Sequence, residues 1–486
     1  MKLKTLTGAC LLAFAAPSAM ALNPATTAAA TTVQIYSSGA SALINSIGGL
    51  FGTMCVAGTL DTYVRSGNVR GYSCTIAPGV SALAGRNVYF MYNADGGSGN
   101  GVYPIAKLVN SGGTFSADPA GLRPQIVNPS TCTLTTTANT YTCTTATLGD
   151  RWSDAGVSDV EPRMFAFDLN KPAAFAATAL EDFELANMDV GSQFQVIFGI
   201  AATNNLYNDL ATAQGLSTGA GQVPSMSRTA LISLLSGTLS DPSSGLGWQA
   251  IFTPGALPAG TAVSGPVNIG RRVNGSGTQS AANAYFQSYG CAPTANLLPA
   301  DASATNPGSI VVNEGSGTSN VISFLNGRFL AGEYAIGLVS KENAPGGSDN
   351  WKHVAIDGVV PSRDNAKTGK YDYVVEQTMQ WNNVYLDSFR TAPVLGGGAG
   401  YALPAGVSVA DLKNFLTVFR TRSGNPLVLD SIASAATKEG IAALVNFNEG
   451  YIFNDPAVTP QGLANNKFVS RMTRNGNTCQ PLLWNN

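Results

Sequence analysis

Short apolar runs alternate along this chain with stretches whose apolar residues recur at helical spacing, the order in which α/β folds are written. Val33-Gln34-Ile35-Tyr36 reads as a strand, after which Ser37 to Ser41 turn into a helix carrying Leu43, Ile44, Ile47 and Leu50. Val88 to Tyr92 form a second strand, followed by a Gly-rich turn and a helix over 102–109. Residues 110–150 are polar and Thr-rich and read as an insertion, a hairpin clipped by Cys132 and Cys143. Gln195 to Ala201 has the continuous apolar character of a strand covered on both faces. Met226 to Ser236 is helical, with Met226, Ala230, Leu231, Leu234 and Leu235 on one side. Val267-Asn268-Ile269 runs into Arg271-Arg272, a Gly-Ser loop at 274–278 and a helix from Ser280 to Tyr289. Tyr334 to Val339 is a further strand, and linker-like stretches fall at 212–224, 238–266 and 296–309. No internal repeat is evident.

The first residues fix the expected compartment. Lys2 and Lys4 precede an apolar run from Leu11 to Ala16, and Ala19-Met20-Ala21 is a small-x-small cleavage pattern. Residues 1–21 therefore read as a secretory signal peptide cut after Ala21. The apolar run is too short for a membrane anchor. Cys10 follows almost no hydrophobic region, which disfavours lipidation. Beyond the signal lie six cysteines, Cys55, Cys74, Cys132, Cys143, Cys291 and Cys479. An even set in an exported chain reads as disulfides rather than a metal site. Nearest-neighbour pairing joins Cys55–Cys74, Cys132–Cys143 and Cys291–Cys479, one of about fifteen possible connectivities.

The 486 residues suffice for two or three domains. Only 12% are charged and the net charge is −2, so no basic stripe exists to neutralise a nucleic-acid backbone. A single histidine, His353, makes zinc sites and histidine-based acid/base catalysis hard to build. The remaining chemistry is that of anion recognition. Arg272 and Gly275-Ser276-Gly277-Thr278 stand between a strand and a helix. There, unpaired amides, the helix dipole and a guanidinium fork suit a phosphate. Taken alone, such a loop is more often a plain surface turn. Two similar strand–turn–helix sites, Ser38-Gly39-Ala40-Ser41 and Gly96-Gly97-Ser98-Gly99, point to one crevice at the carboxyl ends of strands. Gly315-Ser316-Gly317-Thr318 repeats the tetrapeptide but follows Glu314, which would repel an anion, and reads as a helix-capping turn. Asp159 is either an ordinary loop aspartate or an acceptor for the proton of a phosphate OH, which would reject sulfate.

These pieces, with Val157-Ser158-Asp159, Tyr334 to Val339, Asp357 to Pro361 and Gly369-Lys370-Tyr371, occur in one order over most of the chain. In that order the chain resembles the phosphate-binding proteins of bacterial ABC importers, including the related DING group. The resemblance implies an α/β, two-lobed type II periplasmic-binding-protein fold with a hinge of two crossovers. It implies lobe 1 at 22–190, lobe 2 at 191–344 and a return to lobe 1 at 345–486. It also implies phosphate contacts from Ser41, Ala42, Ser98, Asp159, Arg272, Ser276, Gly277 and Thr278 in this sequence. The chain departs from the pattern in three ways. Ala42 stands where a phenylalanine is usual, which would leave a backbone contact intact. Asn274 replaces an aspartate expected to orient Arg272, so that arginine should be less firmly held. Insertions near 110–150, 205–225 and 238–266 put docking to a transporter in doubt.

The expectation is thus an exported, periplasmic or secreted monomer that binds inorganic phosphate for uptake through an ABC importer. It calls for no cofactor, metal or nucleic acid, and no catalysis. Two rivals stand beside it. One is a surface-associated structural or adhesive protein on the same fold. The other is a secreted phosphatase-like enzyme, or a hydrolase using Gly215-Leu216-Ser217-Thr218-Gly219. That match to a nucleophile elbow lacks the strand that should precede it.

Overall fold

The computed structural model describes residues 22–44, 46–65, 68–116, 127–144, 151–217, 221–237, 247–252, 265–292, 310–390, 402–432, 440–443, 469–470 and 472–484. Its strands form one continuous mixed sheet, apart from Met472–Thr473 and Leu483–Trp484, which pair only with each other. In order across it run Ile310–Gly315, Val267–Arg272, Ala335–Ser340, Met188–Thr203, Val374–Asn382, Ala155–Ser158, Val33–Gly39, Asn87–Asn93, Val69–Thr75 and Asp61–Val64. The hairpin Cys132–Leu134/Thr140–Cys143 closes the far edge.

Each half of the sheet has a parallel centre. Val33–Gly39 pairs in parallel with Asn87–Asn93 and Ala155–Ser158. Val267–Arg272 pairs in parallel with Ile310–Gly315 and Ala335–Ser340. Both central strands are buried along their whole length, as parallel strands covered on two faces must be. Parallel pairing also brings the loops at the strands' carboxyl ends together, which is how 40–44, 94–101 and 159–161 come to share one edge.

Met188–Thr203 joins the halves. Its 16 residues span about 50 Å at strand rise, enough to run through both. Residues 188–197 pair with Val374–Asn382, and residues 198–202 with Ala335–Ser340. Val374–Asn382 returns antiparallel and reaches Ala155–Ser158 in the first half. The architecture is therefore α/β and two-lobed, with two crossover strands. Strand Trp351–Ile356, which a lobe boundary at 344 would assign to the first half, pairs with residues 200–203 of the long strand and lies in the second.

Local details differ from the sequence pattern for identifiable reasons. The helix expected from Leu43 to Leu50 is a 3-10 turn at Ser41–Leu43 followed by a helix at Ile47–Gly52. Gly48 and Gly49 weaken helix propensity, and Gly48 is needed because a Cβ there would lie 2.4 Å from the Tyr72 ring. The helix over 102–109 shortens to Tyr103–Ala106 after a turn at Ser98–Gly101, with a proline in its first turn. The helix after the Gly-Ser loop begins three residues early and spans Gly277–Gln287.

Several of the scarce charges are buried and bind distant parts of the chain together. Arg390 Nε donates to Asp154 at 2.6 Å, and its Nη2 to the Gln34 carbonyl at 2.7 Å, pinning residue 390 to the first strand. Arg420 lies over the Trp381 ring and pairs with Asp189 at 2.9 Å. The C-terminal segment is clasped by two carboxylates. Glu376 accepts from Thr473 Oγ1 and from the amides of Arg474 and Gly476 at 2.6–2.7 Å, while Glu161 accepts from the Thr478 amide at 3.0 Å.

Cys55–Cys74, Cys132–Cys143 and Cys291–Cys479 are disulfides in the structure. Cys10 and the expected signal lie outside the described residues. Thiol titration of the denatured, unreduced mature protein should therefore find no free cysteine. Breaking Cys55–Cys74, whose partners are 19 residues apart, should cost about 3 kcal/mol on the chain-entropy estimate. Two reactive thiols per chain would contradict this pairing.

Candidate anion-binding cleft

Arg271 and Arg272 end a strand, and adjacent strand residues point to opposite faces. Their fates diverge accordingly. Arg271 donates to Glu314 at 3.1 Å and to Asn274 at 2.9 Å. Arg272 is 1% exposed and forms no ion pair among the described residues. Its Nε donates to the Gly315 carbonyl at 3.2 Å and Nη2 to the Ser316 carbonyl at 2.8 Å. Its Nη1 reaches Thr318 Oγ1 at 3.2 Å and, across the lobes, Ser41 Oγ at 3.3 Å. Burial pulls its pKa down to about 10, with Asp159 pushing the other way. Arg272 is a cation at neutral pH.

Asp159 follows the strand Ala155–Ser158 and is buried. Its Oδ1 accepts from Gln377 Nε2 at 3.0 Å, and its amide donates to Ser98 Oγ at 3.0 Å. Burial raises the carboxyl's pKa, against the opposing pull of Gln377, Arg272 and Ser98.

Ser276 caps the helix Gly277–Gln287 in extended conformation, its Oγ accepting from the Gln279 amide at 3.5 Å, which leaves the Gly277 and Thr278 amides of the first turn without intrahelical acceptors. Two glycines let this end approach the other lobe. A Cβ on Gly277 would fall 2.3 Å from Ser98 Oγ and 2.6 Å from Asp159 Cβ. Gly275 has φ +92°, a left-handed conformation natural only to glycine, and its carbonyl accepts from the Gly99 amide at 2.7 Å. The cleft is closed by these contacts. Of the residues expected to meet a ligand, Ser41, Ser98, Asp159, Arg272 and Gly277 converge. Ser276 and Thr278 flank Gly277, Ala42 follows Ser41, and all three are buried.

Some roles fell to other residues. The loop 315–318 is the cap expected, with the Gly317 amide donating to Asn320 Oδ1 at 2.9 Å, but it also surrounds the Arg272 guanidinium. Glu314 is turned toward Arg271 rather than toward the cleft. Asn274 orients Arg271, and Arg272 is held firmly without it. Gln377, on a crossover strand, holds Asp159. Glu342, just beyond strand Ala335–Ser340, is 6% exposed and shares a crevice of about 180 Å3 with Ser41, Thr318, Asn68 and Arg70. A separate cavity of about 530 Å3 lies at the other end of the Gly277–Gln287 helix, beside Tyr285 and Cys479, and includes none of these residues.

His353 is buried in the second lobe, its ring against Trp351 and its Nε2 3.3 Å from the Val339 carbonyl. Burial holds its pKa down to about 3. Ser217 lies on an exposed turn after the helix Asn204–Ala213, not after a strand. Among the described residues, no three His, Cys, Asp or Glu side chains group as metal ligands would. No described helix is long and apolar enough to cross a membrane.

No protein-family model and no curated protein matches this chain. Its structural neighbours are phosphate-binding proteins. A putative phosphate ABC transporter substrate-binding protein with bound phosphate from Clostridium perfringens is 12% identical, with a TM-score of 0.41 over 84% of this chain and 99% of that one. A DING protein is 14% identical, with a TM-score of 0.39 over 84% of this chain and 90% of its own. A phosphate-binding protein from Stenotrophomonas maltophilia is 14% identical, with a TM-score of 0.37 over 79% and 93%.

The closeness of Gly277 to the opposite lobe yields a direct test. Gly277→Ala should leave each lobe folded but prevent their full approach. Anion affinity measured by calorimetry should fall at least about tenfold, with thermal stability little changed. Native affinity in this variant would mean the two loops are not apposed in the bound state.

Proposed function

We propose that this chain is an exported solute-binding protein that holds inorganic phosphate, or a similar tetrahedral oxyanion, between its lobes. The ligand is met by Ser41, Ala42, Ser98, Asp159, Arg272, Ser276, Gly277 and Thr278. One observation carries the reading. Arg272 is a buried cation whose described partners are all neutral, beside a helix end with unpaired amides. A buried charge is costly until it is compensated, and an anion entering the cleft supplies that compensation. Asp159 then restricts the choice, because a carboxylate beside an anion is repulsive unless a proton lies between them. Phosphate carries such a proton at neutral pH; sulfate does not.

Export is supported by the signal-like residues 1–21 and by three disulfides, which persist in oxidising compartments. Uptake through an ABC importer is the role such a binder would serve, acting as a monomer. A binding role rather than a catalytic one is supported by the burial of His353 and by the helix that precedes Ser217.

Calorimetric titration with phosphate, sulfate and arsenate, on protein stripped of carried-over ligand, tests the reading. Arg272→Ala should weaken phosphate binding thirtyfold or more, the loss expected when a charge-assisted buried contact of about 2–5 kcal/mol is removed. Asp159→Asn should change phosphate affinity little while letting sulfate in, since an amide both accepts and donates. Arg272→Ala binding like the native protein would misplace the site. Sulfate still excluded from Asp159→Asn would make Asp159 a structural residue.

The two crossover strands further predict that phosphate reduces the radius of gyration in small-angle scattering. An unchanged profile at saturation would favour a rigid scaffold instead.

A further inference from the structure

We propose that Glu342 is a further ligand-binding residue of the cleft, its carboxyl group meeting the bound anion through a shared proton. This rests on the anion-binding reading above and adds a contact on the side of the cleft opposite the Gly277–Gln287 helix end.

The case begins with how this protein treats its other buried glutamates. Glu184 receives Lys107 Nζ on both oxygens at 2.7 Å. Glu376 accepts three hydrogen bonds at 2.6–2.7 Å. Each is satisfied, as buried carboxylates must be. Glu342 is buried to the same degree, yet its one hydrogen bond among the described residues is a 3.5 Å contact from Ser340 Oγ. That distance is at the limit of a hydrogen bond. Glu342 forms no ion pair among the described residues.

Its position supplies the second half of the case. Glu342 lines the interlobe crevice of about 180 Å3 together with Ser41 and Thr318, the two hydroxyls that accept from Arg272 Nη1. Gly440 packs behind it, where a Cβ would stand 2.7 Å from Glu342 Cβ. Asp159 and Tyr92 face it electrostatically, and Arg70 stands on the same crevice wall. Glu342 and Asp159 feel each other's charge, and two such carboxyls cannot both be ionised beside an anion. Burial and the Asp159 charge accordingly raise the Glu342 pKa well above the usual carboxylate range. A protonated carboxyl offers one donor and one acceptor, the pair that a hydrogen-bearing oxyanion complements.

The test is phosphate titration of the native protein, Glu342→Gln and Glu342→Ala at pH 7, with circular dichroism to confirm folding. The glutamine amide keeps a donor and an acceptor, so Glu342→Gln should bind within about threefold of native, and Glu342→Ala at least about tenfold more weakly. Glu342→Ala binding like native would show no contact. Glu342→Gln binding tenfold more tightly would reveal an ionised, repelling bystander, and Glu342→Gln as weak as alanine would exclude a shared proton. Each of these overturns the proposal. If alanine prevents folding, the glutamine variant decides alone, by the same limits. Failure of the native protein to bind phosphate, seen before any variant is made, would instead overturn the anion reading and Glu342's role with it.

Discussion

A buried guanidinium that forms no ion pair among the described residues organises the cleft. Arg272 has lost its hydration and, among the described residues, recovers only carbonyl and hydroxyl acceptors: Gly315, Ser316, Thr318 and Ser41. Those dipoles satisfy its donors without cancelling its charge. Three come from the loop of the adjacent parallel strand in its own lobe, so most of the cradle exists whether or not the lobes meet. The fourth, Ser41, belongs to the other lobe. An arginine compensated by an aspartate would have little reason to bind an external anion. This one does, and its neighbour Arg271 shows the contrast by taking Glu314 and Asn274 for itself.

The surroundings are spare in charge, and several of the charges present are spent on geometry. Arg390–Asp154 ties residue 390 to the first strand, and Arg420, on the helix Val409–Ser423, pairs with Asp189 on one crossover strand and lies over Trp381 on the other. Such pairs contribute little net stability once desolvation is counted, but removing one partner is costly. Their value here is registry. They hold the crossover strands where Gln377 can reach Asp159 from the same strand whose Glu376 clasps the C-terminal segment.

The sequence carries the fold more clearly than the site. Parallel strands buried on both faces leave apolar runs, so Val33 to Tyr36, Val88 to Tyr92 and Tyr334 to Val339 are visible as strands with ends a few residues off. Strand–turn–helix loops with small and hydroxyl residues mark Ser41, Ser98 and Ser276 for the same reason. The cradle of Arg272 is invisible by comparison, because two of its acceptors are backbone carbonyls, which every residue possesses. The loop 315–318 looked like a cap and is one; its second duty depends on strand order, which local sequence does not encode. Asn274 serves Arg271 rather than leaving Arg272 loose, and the alternation of side chains along a strand is the signal that the two arginines must find different partners. Glu342 also left a trace, an acidic residue within two positions of an apolar strand.

The helix Gly277–Gln287 links these levels. Its first turn faces Ser98 and Asp159, while the chain just past its last turn is bonded through Cys291–Cys479 to a segment held by Glu161. Glu161 lies two residues after Asp159, so both ends of this helix are referred to one loop of the opposite lobe: by close contact at the amide end, by a covalent bond at the other. The covalent end adjoins Glu376 on a crossover strand, whose carboxylate accepts from the amides of Arg474 and Gly476. A covalent link at that end fixes the helix to the segment held by Glu161, while the glycine-lined end meets Ser98 and Asp159 by contact alone. The position of its amide end is thus set in part by a clasp at the other end of the same helix.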